Sequence, residues 1–422
     1  MMSSIAPIAV PATDAALPLQ HLGIVFKVTE RCNLACPYCY FFFSGDQSYK
    51  EHPAIVPDDT VAGIIRFIQN AIAESGVTRV HIGFHGGEPL LLKRDYFADV
   101  CQQLIDGLGS RCKLSLSVQT NGVLINEAWI NVFERFSMAV GVSFDGDRET
   151  HNRTRITKSG RGTYDETLRG WRLLEQAERA GRIRRLGVLC VIAPDQSGSA
   201  TFLHFVRELK VKHLDFLLPD LTHDSIEVSE RFIERCGDYL VDVCRAWFAH
   251  GDQNVTVRFM RRIMRMLLAR TIQAHDPFNA QRASHTLLTV SSNGDISPDD
   301  VLRTLDWRFR ETGFHVATGT LREIHDGPMW GELRAVQQTL APQCNACIWN
   351  GVCGGGLKQH RYSLRRGFNN PSIYCKSLAR MYAYICAQLA KGGIPVQSIE
   401  QRLSSLAVAP TAAAMNPTTS DD

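Results

Sequence analysis

The stretch Cys32-Asn33-Leu34-Ala35-Cys36-Pro37-Tyr38-Cys39-Tyr40 follows an apolar run and places three cysteines at C-x3-C-x2-C spacing. Three thiolates can bind three irons of a four-iron cluster, whereas the fully ligated clusters of electron carriers use four cysteines. The trio therefore leaves one iron open for a ligand that is not protein. A zinc site or three packed cysteines are the alternatives, although zinc sites favour four ligands in two close pairs and free cysteine is often buried for packing alone.

The composition describes a globular protein. The chain has 422 residues, 45% of them hydrophobic, and a net charge of +3. This length predicts two or three domains. The nearly balanced charge gives no reason to expect nucleic acid or an anionic membrane surface as a partner, and no run reaches the roughly 18 apolar residues that span a bilayer. No secretory signal is expected at the N-terminus, so the protein is predicted to be cytoplasmic, where thirteen cysteines favour metal or redox chemistry.

Short apolar runs alternate with helical patterns over the first half of the chain. The runs are residues 24–28, 80–84, 114–118, 139–144, 186–192 and 214–218. They predict six parallel strands with helical crossovers, too few for a closed eight-stranded barrel. The predicted fold class is therefore α/β, an open, partial (β/α)6 barrel. Helices are also predicted over residues 227–249 and 258–274, and loose tails over residues 1–20 and from about 407 onward.

A polar motif follows each of the first four predicted strands, at the edge where barrels of this kind carry their chemistry. The cysteine stretch follows the first strand, and His85-Gly86-Gly87-Glu88-Pro89 follows the second. Its glycines remove side chains where backbone must approach a ligand, and Glu88 offers an acceptor for a cation. Gln119-Thr120-Asn121-Gly122 and Ser143-Phe144-Asp145-Gly146 follow the third and fourth strands. Plain Asn-Gly and Asp-Gly turns are the alternative for these two motifs.

A second set of cysteines lies in the last quarter of the chain. Cys344, Cys347, Cys353 and Cys375 supply four thiolates, the number that closes an iron–sulfur cluster completely. A C-x2-C half-site also occurs in zinc proteins, so these residues alone leave both metals open.

The three-cysteine stretch and the motifs after the next three strands together resemble the radical S-adenosylmethionine (SAM) superfamily. The resemblance implies that SAM binds the open iron of a [4Fe-4S] cluster held by Cys32, Cys36 and Cys39, and is cleaved to an adenosyl radical that takes a hydrogen atom from the substrate. The SAM pocket that it implies is formed by Tyr38, Gly86, Gly87, Glu88, Asn121, Ser143, Asp145, Arg153, Val191 and Ile192. For Arg153, a solvated surface position is the alternative.

The second cysteine set, placed after such a barrel, resembles the SPASM extension, whose cysteines bind auxiliary [4Fe-4S] clusters. The two-cluster pattern continues C-x2-C-x5-C-x3-C, but Leu357 stands at its last position and Asp299 at an upstream cysteine position. The resemblance therefore implies one auxiliary cluster, held by the four cysteines of the second set, and two clusters in the protein. The predicted domains are a loose tail (1–20), the barrel (21–225), a helical linker (226–280), the SPASM-like module (281–392) and a C-terminal segment with a loose tail (393–422).

Cys353-Gly354-Gly355-Gly356 and residues 367–375 narrow the resemblance to peptide maturases that build three-residue cyclophanes in ribosomally made peptides. It implies an oxidoreductase that joins an aromatic ring to the β-carbon of a residue two positions later. The implied partners are a precursor peptide and a reduced flavodoxin- or ferredoxin-type electron donor. Formylglycine formation, as in anaerobic sulfatase maturases, and a non-enzymatic iron–sulfur protein are the alternatives. The tail before the first strand is too short for a separate leader-binding domain, so leader recognition is expected to use the barrel or the module.

Asp300 is the carboxylate predicted to act in catalysis. The resemblance implies that the aspartate after the missing cysteine position faces the substrate and accepts its proton. An unperturbed aspartate, with a pKa of about 3.9, is a weak proton acceptor, so burial at the barrel mouth is expected to raise the pKa of Asp300 and improve it as a general base. A solvated turn formed by Asp299 and Asp300 after Pro298 is the alternative.

Overall fold

The computed structural model describes residues 19–268 and 287–406, and in these ranges one sheet contains all the named strands. The strands are β1 (His21–Thr29), β2 (Arg79–Gly86), β3 (Lys113–Thr120), β4 (Ala139–Ser143), β5 (Arg185–Val191), β6 (His213–Leu217), β7 (Thr256–Val257), β8 (Leu287–Val290) and β9 (Ile296–Ser297). Their order is β7-β6-β5-β4-β3-β2-β1-β8-β9. Neighbours pair in parallel except β8 and β9, which are antiparallel.

The predicted α/β fold class and all six predicted strands are confirmed, because β1 to β6 each coincide with one of the predicted runs. The sheet then continues beyond the prediction: β8, from the C-terminal part of the chain, pairs in parallel with β1 on the side opposite β2. Of the predicted tails, residues 1–18 and 407–422 lie outside the described residues, as do residues 269–274 of the second predicted helix.

Helices lie between successive strands from β1 to β6, as parallel pairing requires. In the described ranges the helices are α1 (Tyr40–Phe43), α2 (Asp58–Ser75), α3 (Arg94–Leu108), α4 (Glu127–Arg135), α5 (Arg148–Thr154), α6 (Tyr164–Arg179), α7 (Gly198–Leu203), α8 (Glu230–His250), α9 (Arg258–Leu268), α10 (Leu321–Asp326), α11 (Pro328–Gln338), α12 (Pro342–Asn345), α13 (Asn350–Cys353), α14 (Cys375–Lys391) and α15 (Val396–Leu406). None of them is long and apolar enough to cross a bilayer.

The interior strand β1 is buried on both faces at its carboxyl end. Ile24, Phe26 and Val28 alternate along one face and join the apolar core with α2 residues such as Ile64. Lys27 points to the opposite face, yet its side chain is also fully buried. Because β1 to β6 are parallel, their carboxyl ends meet at one edge of the sheet, and the loops that follow them converge there.

The C-terminal part of the chain is attached to the barrel at several places, two of which involve β8 and α14. β8 forms the strand beside β1, and α14 packs along α8. In the second contact the Ser377 hydroxyl donates to the Ile233 carbonyl, and Arg380 pairs with Asp238. This packing fixes the position of Cys375, the first residue of α14.

Candidate active site

The three-cysteine loop lies at the carboxyl end of β1 and is held by the segment after α5. The Ala35 amide donates to the Ile156 carbonyl (2.8 Å), and Leu34 forms an antiparallel bridge with Thr157. The backbone therefore fixes the loop, while the three thiols form no disulfide.

These thiols lie close enough to influence one another. Burial, together with the charges of Glu88, Cys36 and Cys39, raises the pKa of Cys32 to about 12. Burial also raises the pKa of Cys36, although Arg155 opposes the effect. Thiols in such surroundings lose their protons readily only when a cationic metal group stabilises the thiolates. The donor set therefore fits an iron–sulfur cluster held by three protein ligands.

Gly86 and Gly87 lie where β2 crosses the backbone that leads into the cysteine loop. A Cβ atom on Gly86 would lie 2.0 Å from the Thr29 carbonyl oxygen, and one on Gly87 would lie 2.1 Å from the Arg31 carbonyl oxygen. Gly86 also has a φ of +130°, which favours glycine. The glycines are thus required by close approach to protein backbone, a reason that the sequence analysis did not give. Their contact with SAM stays a prediction.

Gly87→Ala is expected to destabilise the fold by on the order of 1–3 kcal/mol, because the added methyl group would overlap the Arg31 oxygen. Urea unfolding measures this change. Gly45→Ala is the matched control, since no atom lies within 4 Å of the added Cβ, and it should stay within about 0.5 kcal/mol of the wild type. Equal stabilities of the two variants would contradict the prediction.

The Glu88 carboxylate is 1% exposed and ties the end of β2 to the end of β3. One oxygen accepts hydrogen bonds from the Leu90 amide (3.1 Å) and the Thr120 hydroxyl (2.7 Å), and the other accepts from the Asn121 amide (2.8 Å). Burial nevertheless raises the pKa of Glu88 to about 7. A nearby cation would stabilise the ionised form. The predicted contact with the SAM ammonium therefore remains chemically suited to this position.

Glu88→Gln is expected to weaken SAM binding and leave the iron content unchanged, because glutamine lacks the charge that attracts an ammonium group. It also leaves one buried donor without its acceptor, which should lower stability by about 1–3 kcal/mol. Calorimetric titration with SAM and an iron assay measure the two effects. Glu51→Gln, at an exposed position, is the control. Loss of iron from the Glu88 variant would instead make Glu88 a structural residue.

Asp145 and Tyr38, both predicted SAM contacts, are joined through a buried ion pair. Asp145 accepts hydrogen bonds from Arg155 (2.8 Å), from the Val191 amide (3.1 Å) and from the Tyr38 hydroxyl. The Arg155 guanidinium lies 5.6 Å from the centre of the Tyr38 ring. The structure thus brings together three of the predicted residues, namely Tyr38, Asp145 and Val191. Tyr38 remains 36% exposed, so its ring is accessible to a ligand.

Asn121 and Ser143 also lie at this edge of the sheet. The Asn121 side chain donates to the Asn33 side chain in the cysteine loop (2.8 Å), and the Ser143 hydroxyl accepts from Gln119 (2.9 Å). Ile192, just after β5, is buried. The SAM contacts of all three residues stay predictions.

Arg153 lies apart from these residues on the exposed surface of α5. Its guanidinium pairs with Glu149 (2.7 Å) and Asp195 (2.9 Å), and all three side chains are well exposed. This exposed position agrees with the alternative in which Arg153 is a solvated surface residue. SAM binding by Arg153 stays a prediction.

The four cysteines of the second set converge from α12, α13, α14 and the loop between the first two. The charge of Cys375 raises the pKa of both Cys344 and Cys353, and that of Cys347 raises the pKa of Cys375, although burial is the largest cause in each case. Cys375 begins α14, whose positive dipole end favours a thiolate. This donor set fits a fully ligated cluster. Among the residues that the structure describes, no three His, Cys, Asp or Glu side chains are grouped around a single metal ion.

Asp300 lies among side chains from three parts of the barrel. The Tyr40 hydroxyl donates to Asp300 Oδ2, Lys27 Nζ lies 3.7 Å from this oxygen and His85 Nδ1 lies 3.9 Å from it. The charge of Cys39 acts on both Lys27 and Tyr40. We call these four residues, Lys27, Tyr40, His85 and Asp300, the Asp300 cluster. It places a carboxylate beside the cysteine loop.

Lys27 is the strongest source of positive charge for this carboxylate. Its Nζ is buried without a hydrogen-bond partner and lies 3.9 Å from the centre of the Phe41 ring. Burial lowers the pKa of Lys27, and Asp300 partly offsets the effect. Neutralising either side chain would leave the other as a buried, unpaired charge.

The predicted direction of the Asp300 pKa is wrong. Burial does act upward, but the charges of Lys27 and His85 and the hydrogen bond from Tyr40 outweigh it, so the pKa of Asp300 is lowered. The raised pKa belongs to Asp299, through burial and the charge of Asp300. Both aspartates are partly buried, and they do not form the solvated turn of the alternative. Asp300 is thus held ionised, ready to accept a proton but weakly basic.

Four further residues belong to the site although the sequence motifs did not indicate them: Lys27, Tyr40, His85 and Arg155. One signal was available: Lys27 is a charged residue inside an apolar run, and a charge buried in a strand needs a partner. Nothing in the sequence identified that partner as Asp300.

Comparisons with known proteins agree with this geometry. Residues 26–189 match the protein-family model described as the Radical SAM superfamily. The chain is 22% identical over 378 residues to a cysteine-type anaerobic sulfatase-maturating enzyme of Clostridium perfringens strain 13, a match that covers 87% of this chain and 97% of the relative. It is 25% identical over 397 residues to a serine-type anaerobic sulfatase-maturating enzyme of Klebsiella pneumoniae, with 90% of each chain covered.

A solved structure shares the fold. Native anSMEcpe with bound AdoMet and Cp18Cys peptide aligns with a TM-score of 0.72 at 21% identity, over 88% of this chain and 98% of that one. The alignment extends through the C-terminal part of this chain as well as the barrel, and it supports the predicted barrel with a C-terminal extension.

Proposed function

We propose that this chain, whose residues 26–189 match the radical SAM superfamily, is a radical SAM peptide maturase that joins an aromatic ring to the β-carbon of a residue two positions later in a ribosomally made peptide. The observation that carries the proposal is the replacement of two cysteine positions of the two-cluster SPASM pattern by Asp299 and Leu357. The Asp300 cluster beside the cysteine loop supports it, because the reaction needs a proton acceptor. An oxidative C–C coupling removes one hydrogen as an atom and another as a proton. A carboxylate at the barrel mouth supplies the acceptor for the proton.

Two donor sets would hold the cofactors. Cys32, Cys36 and Cys39 fit the [4Fe-4S] cluster that binds SAM, and the four cysteines of the second set fit an auxiliary [4Fe-4S] cluster. When bound, SAM and its cluster supply the radical that removes the hydrogen atom, and the fully ligated cluster can only move electrons. A flavodoxin- or ferredoxin-type protein is proposed as the electron donor.

Two residues of the chain hold the carboxylate that would accept the substrate proton. Lys27 holds Asp300 as a carboxylate, and the Tyr40 hydroxyl fixes the orientation of that carboxylate. At the positions where the two-cluster SPASM pattern has further cysteines, this chain has Asp299 and Leu357. The charge of Lys358 acts on Asp299, so this region is built from charged and apolar side chains. The sulfatase maturases resemble the full seven-cysteine SPASM pattern. The loss of two of its positions in this chain therefore favours cyclophane formation over formylglycine formation.

Formylglycine formation is the second candidate, because sulfatase-maturating enzymes match most of the chain's length. It would also require a proton acceptor, in this case for a hydroxyl or thiol proton. Asp300 could serve in either reaction, so the site alone separates these two enzymes from a non-enzymatic iron–sulfur protein but not from each other.

Two peptide probes test the proposal. The anaerobically reconstituted and reduced protein is incubated with SAM and either a library of synthetic peptides containing aromatic-x-x motifs or a peptide that spans the target cysteine or serine of a sulfatase. We expect 5′-deoxyadenosine and a cross-linked aromatic peptide that has lost two hydrogens. An aldehyde that reacts with a hydrazine would support the second candidate instead. Absence of 5′-deoxyadenosine under all conditions would overturn both.

A further inference from the structure

A group of exposed cations lies at the amino-terminal ends of β5, β6 and β7, opposite the edge that carries the cysteine loop. Strand pairing brings their positions together, because Val188 pairs with Leu214 and His213 pairs with Thr256. Helix α9 begins directly after β7. We call the exposed cations of this region the basic surface; its members are Arg184, Arg185, Lys212, Arg258, Arg261 and Arg265.

Two contacts hold β6, β7 and α9 against one another. The Thr256 amide donates to the Lys212 carbonyl (2.8 Å), so the residue before β6 lies beside β7. The Arg258 guanidinium, at the start of α9, pairs with the carboxylate of Asp215, a buried residue of β6. The cations of these elements therefore lie on one part of the protein surface.

The charges of the basic surface repel one another. Burial, followed by the charges of Arg261 and Arg258, lowers the pKa of Arg185. Glu178 opposes this effect but does not reverse it. Like charges gathered on one face have an energetic cost that a negatively charged partner removes, and they also speed the approach of such a partner. The basic surface therefore fits a partner with an acidic face.

Helix α9 connects the basic surface to the second cysteine set. Its buried residues are apolar, and its arginines, spaced three and four residues apart, lie away from them. One of these arginines, Arg262, is half-buried and donates from Nη2 to the Val352 carbonyl of α13 (3.3 Å). Val352 directly precedes Cys353, a ligand of the proposed auxiliary cluster. The basic helix thus contacts the backbone beside that cluster site.

This contact belongs to a packed unit of three helices. Arg402 of α15 donates from Nε to the Met266 carbonyl of α9 (2.8 Å). On its other side α15 meets α13, where a Cβ atom on Gly351 would lie 2.4 Å from the backbone carbonyl carbon of Leu406. A protein bound to the exposed face of α9 is therefore separated from the Cys353 backbone by about one helix width, about 10–12 Å.

We propose that the basic surface docks a small one-electron carrier protein with an acidic face, beside the auxiliary cluster. The inference rests on the proposed function, in which the peptide loses one hydrogen atom to the adenosyl radical, one proton to Asp300 and one electron. The oxidised carrier, docked here, is the acceptor of that electron and becomes reduced by one electron. An acidic leader segment of the precursor peptide is the other occupant that the charge fits. The contact between α9 and α13 favours the carrier, because a leader has no need to lie beside a redox centre.

Association measured without any peptide tests the surface. The probe is an oxidised flavodoxin chosen for a net negative charge, and its association rate with the anaerobically reconstituted protein is measured by surface plasmon resonance. Electrostatic steering raises association rates by on the order of 10- to 1,000-fold. Lys212→Glu combined with Arg261→Glu should therefore lower the rate at least about tenfold at low salt. At 1 M salt, where screening acts within about 3 Å, the variant and the wild type should become similar.

A matched control makes the same change of charge elsewhere. Arg66 on α2 and Lys93 before α3 are also exposed, and they lie beside strands that are separated from β6 by at least β4 and β5. Arg66→Glu combined with Lys93→Glu should keep the wild-type association rate. Lys212→Gln combined with Arg261→Gln should give an intermediate rate, and it replaces the reversed pair as the test if that pair loses iron.

A redox measurement tests whether docking serves the second cysteine set. The variant in which Cys32, Cys36 and Cys39 are alanine keeps only that set, so it is reduced, freed of reductant and mixed with the oxidised flavodoxin. Absorbance of the flavin semiquinone reports the transfer of one electron. Its formation should be fast at low salt and should slow at least about tenfold when Lys212→Glu and Arg261→Glu are added.

The outcomes separate the docking surface from the proposed function. Equal association rates of the reversed pair and the wild type at low salt, or no semiquinone, would overturn the carrier proposal and leave the maturase proposal intact. Binding of an acidic synthetic peptide but not of flavodoxin would identify a leader as the occupant and would also overturn it. An aldehyde product in place of a cross-link would overturn the cyclophane assignment alone, since neither measurement of docking uses a peptide substrate.

Discussion

Replacing Cys32, Cys36 and Cys39 together with alanine is expected to abolish reductive cleavage of SAM and to lower the iron content of the reconstituted protein from about eight atoms to about four. The cause is the loss of one complete donor set, while the four cysteines of the second set remain. Iron analysis and chromatographic detection of 5′-deoxyadenosine measure the two effects.

The matched control replaces two cysteines that lie outside both sets. Cys112 and Cys386 are half-buried, and their replacement by alanine should leave iron content and SAM cleavage unchanged. About twelve irons in the wild type would contradict the assignment of a single auxiliary cluster. Zinc bound by the second set would contradict its assignment as an iron–sulfur site.

Asp300→Asn is expected to keep both clusters and SAM cleavage but to lower product formation by roughly 10²- to 10⁴-fold, the usual contribution of a positioned base. Asparagine preserves the shape of the side chain but cannot take up the proton. Mass spectrometry of the peptide, set against 5′-deoxyadenosine formed in the same sample, measures the uncoupling. An unchanged product yield would remove Asp300 from the mechanism.

A second variant separates lost basicity from lost charge balance. Asp300→Asn leaves Lys27 as an unpaired buried cation, which by itself is destabilising. Combining it with Lys27→Met removes both charges, so stability should recover while product formation stays low. Recovery of product in the double variant would show that charge balance, and not proton transfer, is the contribution of Asp300.

The sequence predicted the strands well because β1 to β6 are interior strands of the sheet, and each concentrates apolar residues in a short segment, alternating with polar ones in β2 and β3. The strand β8 escaped prediction because it is short and its pairing with β1 is a contact between distant parts of the chain. A local pattern contains no information about such a partner.

The site was predicted only in part, because some of its residues lie in local motifs and others meet through contacts between distant parts of the chain. The cysteines and the polar motifs after the strands are local, and the structure brings them to one edge of the sheet. The hydrogen bond between Tyr40 and Asp300 joins residues that are 260 positions apart. No local sequence pattern predicts such a contact. The error in the Asp300 pKa followed directly, since burial was counted without the charges of Lys27 and His85 and the Tyr40 hydrogen bond, which together outweigh it.

The pairing of β8 with β1 has a consequence for how the chain is made. During synthesis, β1 and its cysteine loop emerge early, but one edge of β1 has no partner until residues 287–290 leave the ribosome. Until then an apolar strand exposes unpaired backbone groups, a known route to aggregation. A truncated chain that ends before residue 287 should therefore be insoluble, even though it contains every motif of the SAM site. Loading of the first cluster is expected to follow completion of the whole chain.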